Sequence, residues 1–181
     1  MKILIACEFS GIVRDAFIKK GHDAVSCDLL PTDKIGPHYQ GDVFDIINEG
    51  WDMMIAFPPC THLASSGARW FKYKQKEQVE ALGFVERLLN SPIEKICLEN
   101  PVGVISTKIR KPDQIIQPWQ FGHGEQKATC LWLKNLPRLV PTNIVEGREQ
   151  RIWKLPPSKD RWKKRSITYP GIAEAMAEQW S

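Results

Sequence analysis

The feature that most constrains the fold is a short apolar run, residues 53–57, that stops abruptly at two prolines. A continuous apolar run of this length predicts a strand buried on both faces of a sheet. Pro58 and Pro59 end that strand because neither residue can donate a backbone hydrogen bond. Cys60 follows directly, beside a small, polar and flexible segment, residues 61–67. We therefore expect a nucleophilic thiol at the rigid edge of the sheet, although most free cysteines only fill apolar space.

A second run repeats this design. Residues 96–98 predict another buried strand, which ends in Glu99 and Asn100 with Pro101 as the stop. A carboxylate that is partly desolvated at a strand end has a raised pKa and can hold or donate a proton. Glu99 alone could be an ordinary acid at the edge of a sheet. Because its strand should neighbour the one that carries Cys60, we expect Cys60 and Glu99 to act as a catalytic pair.

The N-terminal residues predict the opening unit of a nucleotide-binding α/β fold. Residues 2–7 predict a buried strand, residues 12–20 a helix, and residues 24–27 a strand that ends at Asp28. The turn before the helix contains only one glycine, Gly11, so the pattern is incomplete for a dinucleotide. An adenosyl ligand without a pyrophosphate does not require the full set of glycines.

Candidate ligand contacts should converge at one edge of the sheet. Ligands of open parallel sheets bind beyond the carboxyl ends of the strands. The turn of Phe9, Ser10 and Gly11 offers backbone amides there, and Asp28 and Asp42 offer acceptors for ribose hydroxyls. Cys60 should lie at the same edge.

The remaining segments predict scaffold. Residues 75–90 have the spacing of an amphipathic core helix, residues 129–133 predict a strand, and residues 172–180 predict a closing helix. Residues 29–40 are rich in proline and glycine and predict irregular structure. With no internal repeat and no boundary signal, residues 1–181 are expected to form a single domain.

Two segments are rich in positive charge. Residues 69–76, the first basic segment, hold four cations and three aromatic residues. Residues 147–165, the second basic segment, hold eight Lys and Arg against two acidic residues in a chain of net charge +4, and predict an exposed loop. Cations can bind phosphates while rings stack on bases, although packed aromatics and a solvated charged surface are alternatives. The candidate nucleic-acid contacts are Arg69, Lys72, Lys74, Lys127, Arg161, Lys163, Lys164 and Arg165.

Composition excludes several classes of protein. The five cysteines are widely spaced and lack a Cys-x-x-Cys pair, so neither a disulfide framework nor a zinc site is expected. Cys60 and His62 are one pair of possible metal ligands without visible partners, and we expect no metal. No apolar run reaches membrane-spanning length, and the first strand is too short for a signal peptide. We expect a cytoplasmic protein with no membrane partner.

With these pieces placed, the chain resembles the DNA (cytosine-5)-methyltransferases. Pro58-Pro59-Cys60 is similar to their nucleophile motif, and Glu99-Asn100 to their Glu-Asn motif. Phe9-Ser10-Gly11 looks like their cofactor-binding first motif, and Tyr169-Pro-Gly-Ile172 like their closing motif. The resemblance implies a Rossmann-like class I S-adenosylmethionine-dependent fold, with a mostly parallel central sheet and helices on both faces. The implied cofactor-binding residues are Phe9, Ser10, Gly11, Asp28, Asp42, Val43, Phe57 and Pro58.

The resemblance also implies a function. Cys60 would form a covalent adduct with cytosine in DNA, Glu99 would bind the ring, and the methyl group of S-adenosylmethionine would pass to carbon-5. The family's Gln-x-Arg-x-Arg motif should fall near Gln126, where Lys127 and Thr129 are the only stand-ins. The second basic segment occupies the place of a target-recognition domain. We therefore expect low sequence specificity, a partner subunit, or a smaller substrate such as a nucleotide or RNA; a catalytically silent nucleic-acid-binding protein is a further alternative.

Overall fold

The computed structural model describes residues 1–181, which form a seven-stranded sheet with helices on both faces. The strands are β1 (Lys2–Ala6), β2 (Asp23–Asp28), β3 (His38–Gln40), β4 (Met53–Ala56), β5 (Lys95–Pro101), β6 (Gln114–Ile116) and β7 (Thr129–Lys134). The α-helices are α1 (Ile12–Lys19), α2 (Val43–Ile46), α3 (Gln75–Leu89), α4 (Ile105–Lys108), α5 (Arg151–Lys154), α6 (Arg161–Ser166) and α7 (Pro170–Gln179). Two 3₁₀ helices span Ser65–Tyr73 and Pro118–Gln120.

The sheet has the strand order β3-β2-β1-β4-β5-β7-β6. Strands β1 to β5 pair in parallel, and β7 runs antiparallel to both of its neighbours, β5 and β6. The expected mixed α/β architecture with a mostly parallel sheet is therefore confirmed. The order of the first five strands is that of open doubly wound sheets, in which ligands bind where the strand order reverses, here between β1 and β4.

Two hydrophobic cores, one on each face of the sheet, explain why the central strands are apolar throughout. Ile5 and Ile55 face the layer that contains α1 and α7, and Leu4 and Met54 face the layer that contains α2 and α3. All four side chains are fully buried. Such burial on both faces requires a continuous apolar run rather than an alternating one, as residues 53–57 provide.

Several segments differ from the sequence prediction. β3 lies within residues 29–40, where we expected irregular structure, and pairs with β2 from Ser26 to Asp28. The second basic segment is a loop only in part, because it contains the short helices α5 and α6. α5 forms because its one apolar side chain that faces inward, Ile152, is buried in the core. None of the helices is long and apolar enough to cross a lipid bilayer.

Candidate active site

A cleft of about 90 Å³ lies at the edge of the sheet where β1, β4 and β5 end and β7 begins. The predicted pair, Cys60 and Glu99, both line it. So do Lys127, which precedes β7, and Arg165, which belongs to α6. The further lining residues are Cys7, Glu8, Phe9, Ser10, Phe57, Pro58, Pro59, Asn100, Pro101, Ser166 and Thr168.

The turn that follows β4 presents the Cys60 thiol. The carbonyl oxygen of Cys60 accepts hydrogen bonds from the amides of Leu63 (3.0 Å) and Ala64 (2.9 Å), which fixes the backbone around the thiol. Burial raises the pKa of the half-buried thiol, and the carboxylate of Glu99 raises it further. The positive charges of Arg165 and Lys127 act in the opposite direction. The protonation state of Cys60 is thus set by its neighbours in the cleft.

Glu99 lies next to the end of β5, opposite Leu131 of β7. Burial raises the pKa of its carboxyl group, while the charge of Lys127 and the hydroxyl of Thr129 lower it. Because the side chain is only half-buried, the carboxyl group keeps access to the cleft. A carboxyl group with a raised pKa can hold a proton near neutral pH and donate it to a ligand.

Asn100 links the end of β5 to the segment that follows β4. Its side chain is 1% exposed, and its Nδ2 donates a hydrogen bond of 2.9 Å to the carbonyl oxygen of Pro58. Its Oδ1 is buried without a partner in the protein. This bond holds the backbone at Pro58, two residues before Cys60, next to Asn100, the residue after Glu99.

Hydrogen bonds join the start of the segment that follows Cys60 to the loop after β5. The amide of Ser65 donates to the carbonyl of Val102 (2.9 Å), and the amide of Val104 donates to the carbonyl of Leu63 (2.9 Å). Gly103 permits this contact, since a Cβ atom there would lie 2.0 Å from the carbonyl oxygen of Leu63. The loops after β4 and β5 therefore form one unit.

A second, larger cavity of about 380 Å³ adjoins the cleft and shares Cys7 and Pro59 with it. It contains three of the predicted cofactor residues, Asp28, Asp42 and Val43. Its remaining lining residues are Cys27, Leu29, Gly41, Thr61, His62, Ala81 and Phe84. The cavity thus combines two carboxylates with apolar walls, beside the cleft that holds Cys60.

Each of the two carboxylates is held by a backbone amide. Oδ1 of Asp28 accepts from the amide of Leu30 (2.9 Å), and Oδ1 of Asp42 accepts from the amide of Phe44 (3.0 Å) at the start of α2. Burial raises the pKa of Asp28. Both acids therefore have a fixed orientation at the wall of the cavity.

Of the predicted turn of Phe9, Ser10 and Gly11, two residues line the cleft and the third packs against Arg14. Phe9 and Ser10 line the cleft, as do Phe57 and Pro58. Gly11 lines neither cavity, contrary to the expectation of a ligand contact. It has a φ of +70°, and a Cβ atom there would lie 2.5 Å from Nη2 of Arg14. Glycine is thus needed at position 11 because the buried guanidinium group of Arg14 leaves no space for a side chain.

Sequence reasoning missed the pair of buried charges beneath this turn. Glu8 is 5% exposed, and its Oε1 accepts hydrogen bonds from the amide of Val13 (2.8 Å) and the hydroxyl of Ser10 (2.9 Å). Arg14 is fully buried and donates to the Ser26 hydroxyl (3.1 Å) and to the Lys34 carbonyl (3.1 Å). Glu8 caps α1, and Arg14 anchors the loop after β2. Only the polar identity of Arg14 between the apolar Val13 and Phe17 could have signalled this.

The candidate nucleic-acid contacts have different environments. The Nζ of Lys127 donates to the carbonyl of Arg165 (2.9 Å), which ties α6 to the cleft. Arg161 donates from Nε to the carbonyl of Leu155 (2.7 Å), and Lys163 pairs with Asp33 (2.7 Å). Arg161 thus stabilises the second basic segment internally, whereas Lys163 ties it to the loop after β2.

The other candidate cations lie on the surface. Lys164 is exposed, as are Arg69, Lys72 and Lys74 of the first basic segment. Two of them lie against exposed rings: Arg69 lies 5.2 Å from the ring of Trp70, and Lys72 lies 4.7 Å from the ring of Tyr73. Within the chain, no group of three or more His, Cys, Asp and Glu side chains could hold a metal ion.

A polar cluster that the sequence did not reveal anchors the second basic segment. The hydroxyl of Tyr169 donates to Glu125 (2.6 Å), and Arg151 donates from Nε to the other oxygen of the same carboxylate (2.9 Å). The ring of His123 lies 5.0 Å from that of Tyr169. The cluster connects α5 and the start of α7 to the loop before β7.

No protein-family model matches the chain, and no curated protein matches it. A similar solved structure is that of a protein named as a DNA modification methyltransferase encoded within a prophage of E. coli. The two chains are 14% identical, with a TM-score of 0.48, and the match covers 85% of this chain and 55% of that one. This chain thus spans about half the length of that protein. A likeness this distant transfers no function, which must be inferred from the site itself.

Proposed function

We propose that this protein is an S-adenosylmethionine-dependent methyltransferase that modifies carbon-5 of cytosine in DNA. The observation that carries this proposal is the arrangement of two adjoining cavities. One presents the thiol of Cys60 with the carboxyl group of Glu99, and the other presents Asp28 and Asp42 on apolar walls. The first set suits covalent chemistry on a pyrimidine, and the second suits an adenosyl ligand.

The chemistry requires both members of the catalytic pair. Carbon-5 of cytosine is too weak a nucleophile to take a methyl group unaided. Addition of the Cys60 thiolate to carbon-6 makes carbon-5 enamine-like. Glu99 binds N3 and the exocyclic amine, and stabilises the adduct as electron density moves onto the ring.

The remaining steps restore the enzyme. S-adenosylmethionine, held beside Asp28 and Asp42, would supply the methyl group to carbon-5 and would leave as S-adenosylhomocysteine. Loss of the proton from carbon-5 and elimination of the Cys60 thiolate then regenerate the aromatic ring. The thiolate is recovered unchanged, so Cys60 is a true catalyst.

The residues of the second cavity fit the cofactor. Its volume of about 380 Å³ falls within the range of small-molecule sites, roughly 300 to 1,000 Å³. Asp28 and Asp42 can accept hydrogen bonds from ribose hydroxyls, and Val43 and Phe84 can pack against an adenine ring. S-adenosylmethionine supplies the methyl group when bound. Phe9 and Ser10, with Phe57 and Pro58, line the cleft into which its reactive end would reach.

Protonation couples the two catalytic residues. The negative charge of Glu99 opposes formation of the Cys60 thiolate, and Lys127 and Arg165 favour it. When Glu99 takes a proton to bind the base, this repulsion disappears. We therefore infer that binding of cytosine itself promotes the reactive form of Cys60.

The decisive experiment is covalent trapping. The protein is incubated with labelled S-adenosylmethionine and DNA that contains 5-fluorocytosine, whose fluorine cannot leave as the proton does. We expect a denaturant-stable complex with the wild type and none with Cys60→Ser. Cys7→Ser is the matched control, since Cys7 is also half-buried and lines the same cleft.

Two outcomes contradict the proposal. Binding of DNA without adduct or label transfer indicates a catalytically silent nucleic-acid-binding protein. Label that appears on free nucleotides or RNA but never on DNA indicates the same chemistry on another substrate.

A further inference from the structure

Exposed aromatic side chains occur only in the two basic segments. Trp70 and Tyr73 of the first segment are 53% and 69% exposed, and Trp153 and Trp162 of the second are 70% and 57% exposed. Every other Phe, Tyr and Trp of the chain is buried or half-buried. Exposed rings that lie among exposed cations suit a ligand with flat aromatic faces and negative charge.

Both basic segments border the candidate active site. The ring of Trp162 lies 6.3 Å from that of Phe9, which lines the cleft, and Arg165 lines the cleft itself. Trp70 and Lys74 line a surface depression of about 320 Å³ together with Thr61 and His62, the residues that follow Cys60. A polymer that lies across the second segment therefore reaches the cleft, and one that lies across the first reaches Thr61 and His62, which also line the second cavity.

The cations of the second basic segment divide into internal and external ones. Lys163 pairs with Asp33, Arg151 with Glu125, and Arg161 with backbone carbonyls. Lys154, Lys159 and Lys164 are exposed and form no ion pair within the protein. These three charges are available for phosphates and lie within three residues of Trp153 or Trp162 along the chain.

We propose that the two basic segments bind single-stranded DNA, with the exposed rings stacking on unpaired bases and the exposed cations on phosphates. This inference rests on the proposed function and specifies the form of its substrate. Single-stranded nucleic acid presents the faces of its bases, whereas in a duplex those faces are already stacked. Stacking accepts any base, so this mode of binding needs no sequence-specific contacts. An unpaired cytosine also avoids the cost of flipping, a few kcal/mol.

The first test measures affinity for a cytosine-containing single strand, for its annealed duplex and for RNA of the same sequence. We expect the DNA single strand to bind most tightly. Trp153→Ala and Tyr73→Ala should each weaken that binding roughly tenfold, as expected for the loss of one stacking surface. Their controls are Ile144→Ala and Val79→Ala, which remove apolar side chains of similar exposure, 67% and 68%, from outside the two segments.

The second test measures the salt dependence of single-strand binding. In Lys159→Gln/Lys164→Gln, the slope of log affinity against log salt should fall by roughly 1.4, about 0.7 for each lost phosphate contact. The control is Lys19→Gln/Arg138→Gln, which removes two exposed charges, one at the last residue of α1 and one in the loop after β7. Both α1 and β7 begin near the cleft and lead away from it. The control should leave the slope unchanged.

The inference is overturned if duplex or RNA binds as tightly as the DNA single strand, or if the aromatic variants bind like their controls. A surface that binds a partner protein instead of DNA would give the second of these results. These readouts are independent of methyl transfer. Tight single-strand binding without a Cys60 adduct would refute the proposed function alone, and equal modification of duplex and single strand would refute this inference alone.

Discussion

At the scale of single residues, the reactivity of Cys60 depends on opposing charges. Burial and the carboxylate of Glu99 raise the pKa of the thiol, and Arg165 and Lys127 lower it. All three charged groups line the same cleft and come from β5, α6 and the loop before β7. The nucleophile therefore depends on three separate parts of the chain.

Substitution of these charges should move the pH profile of Cys60 alkylation in opposite directions. Glu99→Gln removes a negative charge, lowers the pKa of the thiol and shifts alkylation by iodoacetamide to lower pH. Arg165→Gln removes a positive charge, raises the pKa and shifts alkylation to higher pH. Mass spectrometry of the Cys60 peptide measures both profiles.

Cys60→Ser corrects for the other four thiols, three of which are buried. Shifts of the same sign in both variants, or no shift in either, would show that burial alone controls the thiol.

At the scale of elements, the turn between β1 and α1 depends on a buried ion. Arg14 occupies the space beside Gly11 and holds the loop after β2 through Ser26 and Lys34. The turn is therefore built around a guanidinium group, and one glycine suffices where a dinucleotide site needs several.

Gly11→Ala should destabilise the protein far more than Gly21→Ala. Both positions have a positive φ, which costs a residue with a side chain about 1 to 2 kcal/mol. Only the Cβ atom at position 11 would meet Arg14, at 2.5 Å, whereas at position 21 nothing lies within 4 Å. Overpacking should add about 1 to 3 kcal/mol to the loss in unfolding free energy, measured by urea denaturation. Equal losses would exclude a role for Arg14.

The parts of the fold that could be predicted from the sequence are those with a local signal. β1 and β4 were predictable because their residues are buried on both faces and form unbroken apolar runs. β3 and β6 have three residues each and depend on neighbours distant in the chain, so no local pattern marks them. Pro156 and Pro157, which follow α5, concealed a short helix whose Ile152 side chain is buried.

The same distinction applies to the site. Cys60 and Glu99 were predictable because each follows a recognisable strand, and parallel strands bring their ends together. The roles of Asn100 and Glu8 could not be predicted, since each depends on a contact that only the folded chain creates. The sequence likewise gave no sign that Gly11 would lie against Arg14 instead of facing a ligand.

At the scale of the whole molecule, the antiparallel β7 completes the cleft. Because β7 runs against β5, its first residues, rather than its last, lie at the edge where the parallel strands end. Thr129 and Lys127 thereby approach Glu99. The expectation that ligands bind at the carboxyl ends of strands does not identify residues at the start of an antiparallel strand. The cleft thus combines strands of both directions with α6, far along the chain.

The hydrogen bonds between the loops after β4 and β5 have a consequence for solvent exchange. The amides of Ser65 and Val104, distant in sequence, each donate to the opposite loop. Deuterium should therefore enter both amides through one shared opening, at similar protection factors, and a bound ligand should slow both together. Exchange at Val104 that is much faster than at Ser65 would show that the loops open separately. If they open together, the segments that follow Cys60 and Glu99 become exposed to solvent in a single event.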